Sequence, residues 1–98
     1  MKTFIGFFLI FTTTSLLATN GAIIYQKCAK CHGIDGKHRA FGKSSRIAGA
    51  EAKQTIAILQ IFKHMSNVDK FAKVMSKQVE KLNDADIKAV AEYISTLK

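Results

Sequence analysis

The run Cys28-Ala29-Lys30-Cys31-His32 constrains this chain more than any other feature. A C-x-x-C-H pentapeptide reads as an attachment site for c-type haem, and its spacing has a chemical reason. Residues three apart on a helix are neighbours on one face. Cys28 and Cys31 can therefore offer both sulfurs to the two vinyl groups along one porphyrin edge and form thioethers. His32 follows at once and can turn a ring nitrogen toward the iron. Gly33 lets the backbone leave close to the ring.

Three plainer readings compete for the same residues. A Cys28–Cys31 disulfide suits an exported protein. A thioredoxin-like redox pair is a second, but that arrangement needs a βαβ pattern and a cis-proline. This chain contains no proline, and no segment alternates like a strand. A structural zinc site needs four ligands. His38 and His64 could complete Cys28 and Cys31, yet their spacing matches no common zinc pattern. Haem remains the favoured reading.

Length and export support it. The chain has 98 residues, enough for one small domain. Residues 1–18 have the form of a secretory signal peptide: Lys2 near the start, an apolar run from Phe4 to Phe11, and a small residue, Ala18, at the end. The run is shorter than the ~20 residues that span a bilayer; an uncleaved N-terminal anchor is the competing reading. Cleavage after Ala18 would leave residues 19–98 as the domain and would place it in the periplasm. Four of the seven Phe would go with the signal. Domains of fewer than ~70–80 residues rarely hold a sufficient core without a staple, a metal or a cofactor. Something inside this one should supplement the side chains.

The expected fold class is all-α. A short helix is expected over residues 21–30, with Ala22, Tyr25 and Ala29 on one side. Residues 32–49 contain Gly33, Gly36, Gly42 and Gly49 and read as a loop. Residues 51–63 make a helix with Ala52, Thr55, Ile58, Leu59 and Phe62 on its apolar face. Residues 64–74 suggest a loop and then a helical turn holding Phe71 and Val74; Val79 and Leu82 suit another short helix. The last segment is the clearest. Asn83 can cap it, Asp84 and Asp86 suit its first turn, and Lys98 its far end. Ile87, Val90, Ala91, Ile94 and Leu97 follow the spacing of a buried stripe.

The iron's sixth ligand must come from further along. Met65, Met75, His38 and His64 are the candidates. A methionine thioether raises the potential relative to a second histidine. Met65 closes the apolar face of the 51–63 helix and has a core-filling reading. Met75 lies between two short segments, eight residues before the cap at Asn83, where a loop could deliver it to the face opposite His32. Met75 is the expected ligand.

In this order the segments resemble the small single-haem class I cytochromes c, most closely the bacterial cytochrome c-553 type. The resemblance spans nearly all of residues 20–98. It runs through Gly21-Ala22-Ile23-Ile24-Tyr25, the haem motif with Gly33, Asp35-Gly36-Lys37 and Ile47-Ala48-Gly49. Met75, Val79, Leu82-Asn83-Asp84 and Ile87 to Ile94 complete it. It implies three to five short helices packed around one covalently bound haem, Cys28 and Cys31 as thioether positions, and His32 and Met75 as axial ligands. It also implies that the helices carrying Gly21/Tyr25 and Tyr93 cross tightly. One departure stands out. Such proteins usually have a proline before the Ile47-Ala48-Gly49 stretch, whose carbonyl accepts a hydrogen bond from the proximal histidine. Arg46 stands there. Its carbonyl could still accept that bond, from a less rigid loop.

With both axial positions filled, no coordination site is left for substrate. The expected function is outer-sphere transfer of one electron between periplasmic partners, not an enzymatic reaction. The alternative is a haem enzyme, or a peroxide or gas sensor, whose sixth site opens. Haem would also enlarge the core, packing against Ile58, Leu59, Phe62, Val79, Ile87, Val90 and Ile94. The chain carries 15 basic against 7 acidic residues. Lys27, Lys30, Lys37, Lys43, Lys73 and Lys77 lie near the haem motif or Met75 in sequence, and some could form a rim that steers toward acidic patches on a redox partner. Nucleic acid is a poor fit, since no aromatics interleave a basic stripe. A monomer without stable membrane insertion after cleavage is expected.

Overall fold

A computed structural model of the chain describes residues 20–42, 44–65 and 69–98. The expected signal peptide lies outside the described residues. Within them there are four α-helices, one 3-10 turn at Ala40–Gly42 and no strand. The all-α expectation therefore stands.

Helix α1 covers residues 20–32, two residues further than the periodic pattern indicates. Cys31 and His32 thus belong to its last turn. Helix α2 is Ala52–Lys63. Its buried residues are Thr55 and Leu59, with Ala52, Ile56 and Phe62 half-buried beside them. Ile58 was expected on that face and is instead 44% exposed. At 100° per residue it falls at the edge of the stripe centred between Thr55 and Leu59.

Helix α3, Lys70–Val79, joins the expected helical turn at Phe71 and Val74 and the start of the second short helix at Val79 into one continuous element, with Leu82 beyond its end. Two features explain it. Asp69 caps the start: its carboxylate accepts the backbone N–H groups of Phe71 and Ala72 at 3.0 and 2.9 Å, satisfying donors that have no partner in the helix. Phe71, Met75 and Val79 then recur every four residues on one face, half-buried to buried. Helix α4, Asp84–Ser95, opens on a capping box, in which Asn83 accepts the Asp86 N–H and Asp86 accepts the Asn83 N–H. Its stripe of Ile87, Val90, Ala91 and Ile94 is buried as the spacing indicates. The helix stops at Ser95, so Lys98 lies beyond its last turn and does not serve the dipole as expected.

Helix α2 packs against both α3 and α4. Lys63 donates to the Leu82 carbonyl and Gln60 donates to Asp84, which fastens the α3–α4 connection to α2. Helix α1 crosses α4 at Gly21. A Cβ there would lie 2.8 Å from the Tyr93 Cβ and closer still to the Ala89 carbonyl oxygen. Only a hydrogen at that position permits this approach. The Tyr25 and Tyr93 rings pack beside the crossing, 5.4 Å apart. The resulting core joins Tyr25, Leu59, Val79, Ile87, Val90 and Ile94.

Candidate haem site

The end of α1 brings Cys28, Cys31 and His32 together as the pentapeptide requires. The two cysteines are free thiols, each half-buried. No three His, Cys, Asp or Glu side chains among the described residues form a group that could hold a metal ion. His38 and His64 therefore do not join the cysteines in a zinc site. Burial pushes the Cys28 thiol above its usual range, the result expected for sulfur set among apolar neighbours.

His32 is 8% exposed. Burial, and after it the neighbouring His38, lower its pKa, so the ring is held neutral. A neutral imidazole is the form that donates a nitrogen lone pair to iron. Its Nδ1 is the one buried side-chain nitrogen or oxygen among the described residues that has no hydrogen-bond partner. The Arg46 carbonyl therefore does not take the bond that the sequence left open to it. The loop geometry gives the reason. Gly36, with φ of 73°, turns its carbonyl to accept both the Ile47 and Ala48 N–H groups at 2.9 and 3.0 Å. These bonds draw residues 47 and 48 against Gly36 and leave Arg46 exposed.

The turn after His32 is fixed by a residue that the sequence placed on one side of the first helix and at its crossing with the Tyr93 helix. Tyr25, two turns back along α1, donates its hydroxyl to the Gly33 carbonyl at 2.7 Å. His38 closes the same turn by donating its backbone N–H to the His32 carbonyl at 3.0 Å. The side-chain partner could not be read from the sequence, because it depends on where the chain folds back.

Met75 lies in the middle of α3 and not on a loop. It is half-buried and packs against the core cluster, as Cys28 does. Met65 follows the end of α2 and is not among the side chains packed on that cluster. The Leu59, Val79, Ile87, Val90 and Ile94 side chains, expected against the haem, already pack on one another.

The donor set fits a c-type haem: two free thiols three residues apart, a neutral buried imidazole next to them, and a thioether beside the same core. A cytochrome c family model matches residues 18–98. The chain belongs to the cytochrome c family. Relatives are named cytochrome c-553. One from Helicobacter pylori strain J99 is 40% identical over 83 residues, covering 85% of this chain and 83% of its own length. Another, from Nitratidesulfovibrio vulgaris, is 32% identical over 89 residues, covering 91% and 87%. The cofactor of this cytochrome c is covalently bound haem c. It is a single-haem electron carrier that acts with redox partners.

Proposed function

We propose that this cytochrome is an exported one-electron carrier that binds its haem through thioethers at Cys28 and Cys31, with His32 and Met75 on the iron. The observation that carries the reading is the end of α1, where both thiols adjoin a buried imidazole with an unpartnered ring nitrogen. Met75 is favoured over Met65 because it packs on the cluster that Cys28 also flanks.

When bound, haem c supplies an iron centre that changes oxidation state by one electron. The chain's own residues determine how it is used. The Cys28 and Cys31 sulfurs tether it to α1. The Tyr25–Gly33 bond fixes the backbone that positions the His32 ring. His32 and Met75 would both hold the iron, which would leave no place on it for a substrate and make the protein a carrier and not an enzyme. Lys27, Lys30, Lys37, Lys73 and Lys77 are exposed, while Lys43 lies outside the described residues. They would steer the protein to acidic patches on its partners.

Several measurements test this reading. Haem staining after denaturing electrophoresis should persist; haem that washes out rejects the thioethers. The oxidised spectrum should show the weak far-red sulfur-to-iron band and low-spin iron. Met75→Ala should abolish the band and Met65→Ala should leave it; the reverse would move the ligand to Met65, and ready uptake of carbon monoxide by the unaltered protein would favour a sensor. Fractionation should place the protein in the periplasm with an N-terminus near residue 19. Exchange rates with an acidic partner should fall with added salt, since exposed charges are screened within ~10 Å at 0.1 M.

A further inference from the structure

Phe41 has a backbone that its residue type does not favour. Its φ and ψ are 56° and 20°, and it is the one residue other than glycine with positive φ among the described residues. A bulky side chain in this left-handed region is a strained exception. Strain of this kind persists only where surrounding contacts determine it. The ring is 53% exposed, so burial in the core does not account for it. Its aromatic contact is with Phe71, at 5.2 Å between centroids and an interplanar angle of 51°.

The position of Phe71 gives that contact its meaning. It lies in the first turn of α3, where Asp69 caps the backbone and Lys70 places its ammonium 5.3 Å from the ring. Four residues on, and on the same helix face, is Met75. Phe41 belongs to the loop that leaves His32. The pair thus joins the segment after the proximal histidine to the helix that carries the methionine.

We propose that Phe41 is a positioning residue, latched on Phe71 to hold α3 in the place where the Met75 sulfur stays on the iron. The proposal rests on Met75 being the ligand. An external ligand such as imidazole binds the oxidised iron only when the sulfur has left, so its apparent affinity scales with the fraction of molecules in that open state. A tilted aromatic pair formed in the closed state alone favours that state by roughly 2- to 12-fold. Removing the ring should raise the open fraction by the same factor.

The test is imidazole titration of the oxidised holoprotein, followed by loss of the far-red band. Phe41→Gly should tighten apparent imidazole binding by about 2- to 12-fold. The thermal midpoint should not fall in proportion, because glycine relieves the backbone strain as it removes the ring. Phe41→Tyr keeps the ring and should bind imidazole as the unaltered protein does. In a double-mutant cycle with Phe71→Leu, the Phe41→Gly effect should shrink toward nothing, as expected for groups that act through one another. Unchanged imidazole affinity in Phe41→Gly, or full additivity with Phe71→Leu, overturns the latch while leaving the ligand assignment intact. Absence of the far-red band from the unaltered protein overturns both.

Discussion

At His32 the unpartnered Nδ1 and the exposed Arg46 are two sides of one local event. A hydrogen bond from the second ring nitrogen fixes imidazole orientation and raises ligand basicity, typically changing metal affinity or activity 10- to 100-fold. Arg46→Pro would stiffen the loop and is expected to bring residue 46's carbonyl within reach of the ring. A more basic imidazole favours ferric over ferrous iron, so the potential should drop. A tenfold preference corresponds to about 59 mV for one electron, and spectroelectrochemistry reads it directly. An unchanged or higher potential would show that the substitution fails to rebuild the bond.

Tyr25 gives a second prediction at this scale. Burial, and after it nearby negative charge, push its phenol up to about 12, against 10 in an unfolded chain. The protonated form is therefore favoured on folding. Its contribution is complete below pH 10 and is lost as pH rises from about 10 through 12, with a slope of at most ~1.4 kcal/mol per unit. Tyr25→Phe also removes the bond to Gly33, worth about 0.5–1.5 kcal/mol. The stability difference between the two proteins, measured by denaturant unfolding, should shrink across that window. A difference that stays constant from pH 9 to 12 would show that the phenol titrates normally. The pentapeptide and Tyr25's place on one side of the first helix were legible in the sequence because they depend on spacing along one helix. The missing Nδ1 partner and Phe41's positive φ were not, since both follow from how residues 36–48 fold back on themselves.

At the scale of elements, legibility tracked the strength of local signals. Helix α4 combined a cap, acidic residues in its first turn and an unbroken stripe from Ile87 to Ile94, and each signal pointed to the same boundaries. In α3 the apolar residues Phe71, Met75 and Val79 stand a full four apart, with lysines between, so the pattern reads as fragments until the Asp69 cap is recognised. Placing Met75 on a helix and not a loop was the consequence for the site. The α1–α4 crossing can be tested at its tightest point. Gly21→Ala gains up to ~1 kcal/mol in helix propensity, but its methyl group would collide with backbone at Ala89 and with Tyr93. Overpacking costs about 1–3 kcal/mol, and here the obstacle is a carbonyl that cannot rotate away. Net destabilisation of about 1–2 kcal/mol should appear as a lower denaturation midpoint with an unchanged m-value. An equal or higher midpoint would mean that α1 does not depend on this approach.

For the whole molecule, the question is whether four helices of this size can hold themselves together. Among the described residues the core cluster has six members, and only Ile87 and Val90 are large side chains with under 2% exposure. Large apolar side chains elsewhere remain open to solvent, among them Phe41, Ile58 and Val74. A core on this scale supplies no more than about 3–5 kcal/mol, and burying each further large apolar side chain adds about 1.5–3 kcal/mol. Covalent haem brings an apolar surface that no side chain here matches, and the Met75 and His32 bonds would tie α3 and the end of α1 to it. A Cys28→Ser/Cys31→Ser protein purified without haem should therefore retain at most about 5 kcal/mol of unfolding free energy. It should lose helical structure first in α3, where only Val79 is buried, against four residues of α4. Amide exchange resolved by residue would report this, with protection lost from residues 70–79 and retained at Ile87 and Val90. Equal protection of α3 and α4 without haem would mean that the polypeptide core already suffices, and that the cofactor only occupies a fold able to stand without it.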